Sequence, residues 1–287
     1  MNLVTLIGEP WAEYGLIDSG LGRKFERYGP YRFIRPEPQA MWAPALTEWD
    51  ADGEFVPGSD EEGGGRWEFT REVPKAGWPL LWEGLNFTAQ TTPFRHLAFF
   101  PDMMPVWDWA KSKLPTHSEC LNLFGYTGVG TLALASAGAS VVHVDASKKS
   151  VEAAKVNATL SGMGNKPIRW LIDDAAKFTA REVRRGRRYD GIILDPPKYG
   201  RGPESEVWRL ETDLALLIAN TRALVDADSK FVFLTVYAIR MSALAIGELM
   251  RQTFGDLPGQ VECGELAVRE EARGLALPTA IWARWSH

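Results

Sequence analysis

From Cys120 onward, short apolar runs alternate with longer stretches of helical character, and this alternation constrains the fold more than any other feature. Runs over 121–124, 140–145, 168–172, 189–194 and 231–236 read as strands, and two more follow over 260–266 and 279–285. The Ala/Leu-rich stretch 129–137 reads as a helix stopped by Gly138. Ser147 is placed to cap a second helix that runs to about Ser161 and stops at Gly162. Further helices are expected over 207–224 and 242–253. Parallel strands need such crossovers, so the pattern predicts a Rossmann-like α/β fold with a seven-stranded, mostly parallel sheet covered on both faces. Right-handed crossovers then bring the carboxyl ends of the strands to one edge, where ligands bind.

Residues 1–85 have a different texture, rich in Trp, Gly, Pro and charge. Tyr31-Arg-Phe-Ile-Arg35 and Arg66-Trp-Glu-Phe-Thr-Arg-Glu-Val73 alternate as strands do, with a turn expected over 60–65. We expect a small β-rich domain over 1–85, able to hold substrate, and a second domain over 86–287. Between them, 87–100 suggests a hairpin and 106–114 a short helix ending before Pro115. The two cysteines, Cys120 and Cys263, are too few and too far apart for a disulfide framework or a zinc site. No basic leader and no run near ~20 apolar residues is visible, so no membrane span and a cytoplasmic address are expected. A net charge of −5 does not suggest a general nucleic-acid binder. Local basic runs exist at 181–188 and 23–35, readable as solvated surface or as a phosphate-contacting face.

Leu123-Phe-Gly-Tyr-Thr-Gly-Val-Gly130 follows a strand and opens a helix. Gly125, Gly128 and Gly130 allow tight turning and close approach of a ligand, although the spacing is not that of the dinucleotide motif. Asp145 ends the next strand, where a carboxylate can accept both hydroxyls of a ribose. Asp173 and Asp174 follow the third strand; a carboxylate there can accept from an adenine amino group, and the N–H of Ala175 can meet a ring nitrogen. Each aspartate alone reads equally well as a helix cap. Suitable side chains on three successive strand ends favour a nucleoside-bearing ligand.

Phe124-Gly-Tyr-Thr-Gly128, Val144-Asp-Ala-Ser147, Asp173-Asp174 and Asp195-Pro-Pro-Lys198 together resemble the class I methyltransferases related to the bacterial large-subunit ribosomal RNA methyltransferases of the RlmI and RlmK type. The resemblance runs from about residue 85 to the end. It implies S-adenosyl-L-methionine as cofactor, held by Phe124, Gly125, Tyr126, Thr127, Gly128, Asp145, Ala146, Asp174 and Ala175, and ribosomal RNA as partner. Phe99-Phe-Pro-Asp102 is similar to a segment that packs near the cofactor in that family, which adds Phe99. The family usually continues with Gln-Arg, where this chain has Met103-Met104.

The loop after the fourth strand, Asp195-Pro-Pro-Lys-Tyr199, is stiff, because two prolines fix φ and remove two donors. It resembles the Asp/Asn-Pro-Pro-aromatic loop of enzymes that methylate planar amino groups, which makes Asp195, Pro196, Pro197, Lys198 and Tyr199 the candidate catalytic residues. Lys198 stands in the aromatic position, and Tyr199 is the nearest ring able to stack. Carbon-5 cytosine methylation needs a cysteine nucleophile, and Leu234-Thr-Val-Tyr-Ala-Ile239, the fifth-strand motif, contains none. Tyr237 is either a pocket residue or a packing aromatic. The expected activity is therefore methyl transfer to nitrogen or oxygen of a nucleic-acid base. A protein or small-molecule acceptor, or a binding module without turnover, are the competing readings. A nicotinamide dehydrogenase fits the glycine spacing poorly.

Overall fold

The computed structural model describes residues 3–58, 64–237 and 241–287. Most of the turn expected over 60–65, and Ala238 and Ile239 of the fifth-strand motif, lie outside the described residues. The chain gathers into two compact units. One comprises Ile7–Met104 with Ala267–Thr279, the other Met1–Leu6, Pro105–Leu266 and Ala280–His287. The division therefore falls later than residue 85, and a C-terminal segment joins the mainly N-terminal unit.

Strand β1 (Leu3–Gly8) opens the described chain. The first unit holds a sheet of β2 (Tyr14–Gly20), β3 (Arg23–Tyr28), β4 (Tyr31–Pro36), β5 (Gly53–Pro57) and β6 (Gly65–Phe69), side by side in chain order. Only the β4–β5 pair is parallel. Next, β7 (Trp78–Trp82) and β8 (Leu85–Ala89) form a hairpin earlier than the one expected over 87–100. Its two turn residues, Glu83 and Gly84, both have positive φ, as a tight hairpin turn requires. Aromatic rings fill the core: Tyr28, Phe33 and Phe87 are fully buried. The tryptophans pack and bond rather than line a surface, with the Trp78 indole N–H donating to Tyr28 O and that of Trp67 to Thr92 O. Within this core the Arg35 guanidinium is bonded to the Glu26 carboxylate through two nitrogens, at 2.7 and 2.8 Å. The C-terminal segment belongs here because Arg273 donates to Asp18 and to Ser19 O, while the Ser19 hydroxyl bonds Glu270.

The second unit continues through α1 (Met104–Lys113), β9 (Glu119–Leu123), α2 (Val129–Ser136), β10 (Ser140–Asp145), α3 (Lys148–Leu160), β11 (Ile168–Ile172), α4 (Ala175–Arg184) and β12 (Gly191–Leu194). A short ribbon, β13 (Tyr199–Arg201) and β14 (Val207–Arg209), then precedes α5 (Leu210–Arg222), β15 (Phe231–Tyr237), α6 (Ala243–Phe254), β16 (Gln260–Arg269) and β17 (Ala276–Ser286). The main sheet has the order β11-β10-β9-β12-β15-β17-β16-β1. Strands β9 to β12 and β15 run parallel, and β17 is antiparallel to β15. The sheet thus has eight strands, the expected seven plus β1 at the edge beside β16. Gly264 permits that pairing, since a Cβ there would meet Val4 O at 1.7 Å. All four residues of β12 are buried, as expected of a central parallel strand covered on both faces. The helix expected from 207 instead starts at Leu210, where the Asp213 carboxylate accepts the Arg209 N–H at 2.6 Å. The basic run after residue 180 resolves into ion pairs: Arg181–Asp173, Arg185–Glu182, Arg187–Glu119 and Arg188–Asp226. Among the described residues, no helix is long and apolar enough to cross a membrane.

Candidate active site

The parallel register fixes the site. Leu123 sits opposite Val144 and Leu194, Val144 opposite Leu171, and Leu194 opposite Leu234. These five residues form one row across the sheet. The chain therefore leaves β9, β10, β11, β12 and β15 at the same carboxyl edge. Between β9 and β12 the strand order reverses, which is the crevice where open α/β sheets take their ligands.

After Leu123 the backbone turns through two non-glycine residues of positive φ, Phe124 at 57° and Tyr126 at 47°, and reaches Gly128 at 82°. Gly125 N–H bonds Val144 O, and Gly128 N–H closes back on Gly125 O. The side chain of Asn157 donates to Thr127 O at 2.9 Å from beneath, within α3. The glycines also have a reason within the protein itself. A Cβ on Gly125 would lie 2.5 Å from the His143 ring, and one on Gly130 would lie 2.6 Å from Trp107. Both are needed so that the protein itself can pack behind the loop. Gly128 needs its left-handed φ, and its Cβ would also press on Ala154 at 2.7 Å. Behind Gly125 runs a buried polar chain, from Asn122 Nδ2 to Thr131 Oγ1 at 2.9 Å and from there to His143 Nδ1 at 2.8 Å. Burial pushes the His143 imidazole down to about 3, so it is neutral. The sequence reading missed this support. Its signal was polar residues in otherwise apolar strand and helix positions.

Asp145, half-buried at the end of β10, faces this loop. One carboxylate oxygen accepts the Tyr126 N–H at 2.9 Å and the other the Ser147 N–H at 2.8 Å. Each oxygen has two acceptor positions, so each keeps one for a ribose hydroxyl. Burial raises the Asp145 carboxyl above its ordinary value, against the two N–H bonds. Burial, helped by Asp145, likewise raises the Tyr126 phenol to about 12. Ala146 is half-buried between Asp145 and Ser147, and the Ser147 hydroxyl caps α3.

Asp174 serves as the N-cap of α4, its Oδ1 accepting the Lys177 N–H at 2.9 Å. Oδ2 lies outside that bond, and the Ala175 N–H, in the first turn, has no intrahelical carbonyl to reach. The cap and adenine readings of Asp174 are thus compatible. Asp173 is instead committed to Arg181. Phe99 is the remaining cofactor candidate. It belongs to the other unit, 2% exposed, with its ring 4.8 Å from Phe87 and 5.5 Å from Tyr28. Its packing there is that of a core residue.

At the switch point, Asp195 N–H bonds Leu123 O and Pro196 is buried, while Pro197, Lys198 and Tyr199 are exposed. The Trp208 indole donates to Pro197 O at 2.7 Å and packs its ring 5.3 Å from that of Phe124. Trp208 thereby ties the Asp195 loop to the glycine loop, a link no local pattern announced. Pro196 O and the Asp195 carboxylate are further acceptors of the loop, as is Lys198 O, which takes the Leu210 N–H. Tyr199 opens β13 and pairs with Arg209. Tyr237 ends β15 on the same edge. Both cysteines are buried, and burial pushes the Cys120 thiol well up.

Residues 105–235 match the family described as Conserved hypothetical protein 95. A crystal structure of a SAM-dependent methyltransferase from Agrobacterium tumefaciens is 43% identical, over 99% of this chain and 93% of that one, with a TM-score of 0.93. The ribosomal RNA large subunit methyltransferase I of Aeromonas salmonicida is 35% identical over 91 residues, 31% of this chain and 23% of that protein. The ribosomal RNA large subunit methyltransferase K/L of Magnetococcus marinus is 29% identical over 156 residues, 53% of this chain and 21% of that protein. The matches thus span less than a quarter of either curated relative's length.

Proposed function

The chain belongs to the S-adenosylmethionine-dependent methyltransferases, and from that premise we propose that it methylates a nitrogen of a base in large-subunit ribosomal RNA, in the cytoplasm. When bound, S-adenosyl-L-methionine supplies a methyl group activated by its sulfonium centre. The rest falls to residues of this chain. Asp145 accepts the ribose hydroxyls, Asp174 and the Ala175 N–H hold the adenine edge, and the backbone of 124–128 lines the approach. Asp195 and Pro196 O hold the acceptor amino group by accepting its hydrogens, so the nitrogen lone pair faces the methyl carbon. Tyr199 stacks on the base, and Lys198 stands at the rim. In-line displacement of this kind draws its rate from positioning rather than from a strong base. The first unit contributes a substrate-holding domain.

The observation that carries the proposal is the common row of strand ends, which sets the Asp195-Pro-Pro loop beside the glycine loop at the switch point. The names of the relatives matched over parts of the chain support RNA as acceptor. The absence of cysteine from the described residues of the fifth-strand motif, and the burial of Cys120 and Cys263, support nitrogen over carbon. A protein or small-molecule acceptor is the second reading, favoured by the net charge of −5. Two measurements test the proposal. Calorimetry with S-adenosyl-L-methionine expects binding by the wild type and a loss of at least tenfold in Asp145→Ala; unchanged affinity in the variant refutes the cofactor assignment. Labelled-methyl transfer, offered ribosomal RNA from a deletion strain beside protein and small-molecule pools, expects label in RNA. Label confined to another pool selects the second reading.

A further inference from the structure

The ribbon of β13 and β14 grows directly out of the Asp195 loop, and beyond Tyr199 its exposed side chains have no part in the chemistry described so far. We infer that it is a grip for single-stranded RNA, in which Arg201 and Arg209 hold the backbone phosphates beside the target base. The inference rests on RNA being the acceptor.

The ribbon has two unlike faces. Tyr199 pairs with Arg209, Gly200 with Trp208, and Arg201 with Val207. Directly opposed residues share a face and successive residues alternate, so Tyr199, Arg209, Arg201 and Val207 share one side. All four are exposed, whereas Trp208 on the other side is 4% exposed. The buried side anchors the ribbon through the Trp208 bond to Pro197 O and its contact with Phe124. The exposed side is a checkerboard of two cations, one ring and one apolar side chain. Positive charge that tracks a backbone beside rings that stack on bases is how single strands are held without sequence readout.

Charge balance sharpens this face. The ribbon's carboxylates, Glu204 and Glu206, are both taken by Lys177 of α4, at 2.9 and 2.5 Å. Among the described residues, Arg201, Arg209 and Lys198 have no ion-pair partner. Lys177 offsets one of the tip's two negative charges and draws both carboxylates toward α4, while Arg201 and Arg209 stand on the outward face.

The ribbon is also held rigid. Lys198 O accepts the Leu210 N–H at 3.0 Å, which closes the base of the ribbon where α5 begins. At the tip, Ser205 N–H bonds Gly202 O with Pro203 second in the turn, and Gly202 N–H bonds Glu206 O. Lys177, which grips the tip, takes its own backbone cap from Asp174. A preformed, outward-facing cationic ribbon starting one residue from Lys198 is placed to orient the strand that carries the target base.

The test compares wild type with Arg201→Ala/Arg209→Ala. Fluorescence anisotropy with a labelled single-stranded RNA oligonucleotide is read against salt, and cofactor affinity is read by calorimetry. Each phosphate contact on a single strand contributes about 0.7 to the slope of log K against log salt, so the double variant should lower that slope by about 1.4. At 0.15 M salt this corresponds to roughly tenfold weaker RNA binding. Cofactor affinity should not change, and KM for RNA should rise more than kcat falls. An unchanged slope and RNA affinity in the double variant, with the wild type binding and methylating RNA, overturns the ribbon assignment and leaves the RNA reading intact. A wild type that neither binds nor methylates RNA overturns both. Displacement of RNA by an acidic peptide at lower concentration than by competing RNA also overturns it, since the arginines would then serve a protein partner.

Discussion

Acidification should weaken the fold through one buried ring, His143. Its imidazole is fully buried, it bonds Thr131 through Nδ1, and among the described residues no group takes Nε2. Burial holds it near 3, whereas an unfolded chain carries a histidine near 6.5. Between those values the unfolded state binds one more proton than the folded state, so stability falls as pH falls. The contribution is intact above about pH 6.5, is lost progressively below it, and levels off near pH 3. With a slope of about 1.4 kcal/mol per pH unit, going from pH 7 to pH 5 costs about 2 kcal/mol from this residue. Urea unfolding of wild type and His143→Asn at both pH values isolates it. The variant starts less stable because it leaves a cavity, but that deficit cancels in the difference between pH values. Wild type should lose about 2 kcal/mol more than the variant between pH 7 and 5. Equal losses would refute the reasoning, since His143 would then be protonated alike in both states.

Three more outcomes follow from the site. Gly128→Ala forces a side chain into a left-handed φ of 82° and toward Ala154; it should cost about 1–3 kcal/mol in thermal unfolding and weaken the cofactor in calorimetry. Trp208→Phe keeps a ring against Phe124 but removes the bond to Pro197 O; it should cost about 1 kcal/mol of stability and lower kcat for methyl transfer with cofactor affinity unchanged. Cofactor affinity should fall as pH drops through a value above the ordinary aspartate range, because burial raises Asp145 and its protonated form loses acceptor capacity; calorimetry from pH 7 to 4 checks it.

The parallel core was legible because its signals are local and periodic. Apolar runs of strand length, Gly138 and Gly162 as stops, and Ser147 as a cap all act within a few residues of chain. The strand-end aspartates were legible for the same reason, since an acid after a strand needs no distant partner to be noticed. What the sequence hid depends on contacts remote in the chain. β1 joins the sheet through β16, some 260 residues away, and only the Gly264–Val4 approach marks the pairing. The C-terminal segment enters the first unit through Asp18, Ser19 and Arg273 for the same reason. Residues 207–209, the second strand of the ribbon, were read as the start of a helix, because Val207-Trp-Arg-Leu continues an apolar pattern that suits either element. Phe99, a cofactor candidate by resemblance, also packs against Phe87 and Tyr28, contacts that its neighbours in sequence do not announce. Gly125 and Gly130 were read as places where a ligand comes close, with no sign in the sequence that His143 and Trp107 also pack against them.

The central claim is that Asp195 and Pro196 hold the acceptor while Asp145 and Asp174 hold the cofactor. Single-turnover transfer of labelled methyl to ribosomal RNA by Asp195→Ala, with cofactor saturating and its affinity measured on the same preparation, tests this most directly. The account predicts wild-type cofactor affinity with transfer reduced at least a hundredfold, on the order of the ~3 kcal/mol that charge-assisted hydrogen bonds at a reacting group supply. Transfer at the wild-type rate would contradict it, as would loss of cofactor affinity together with transfer.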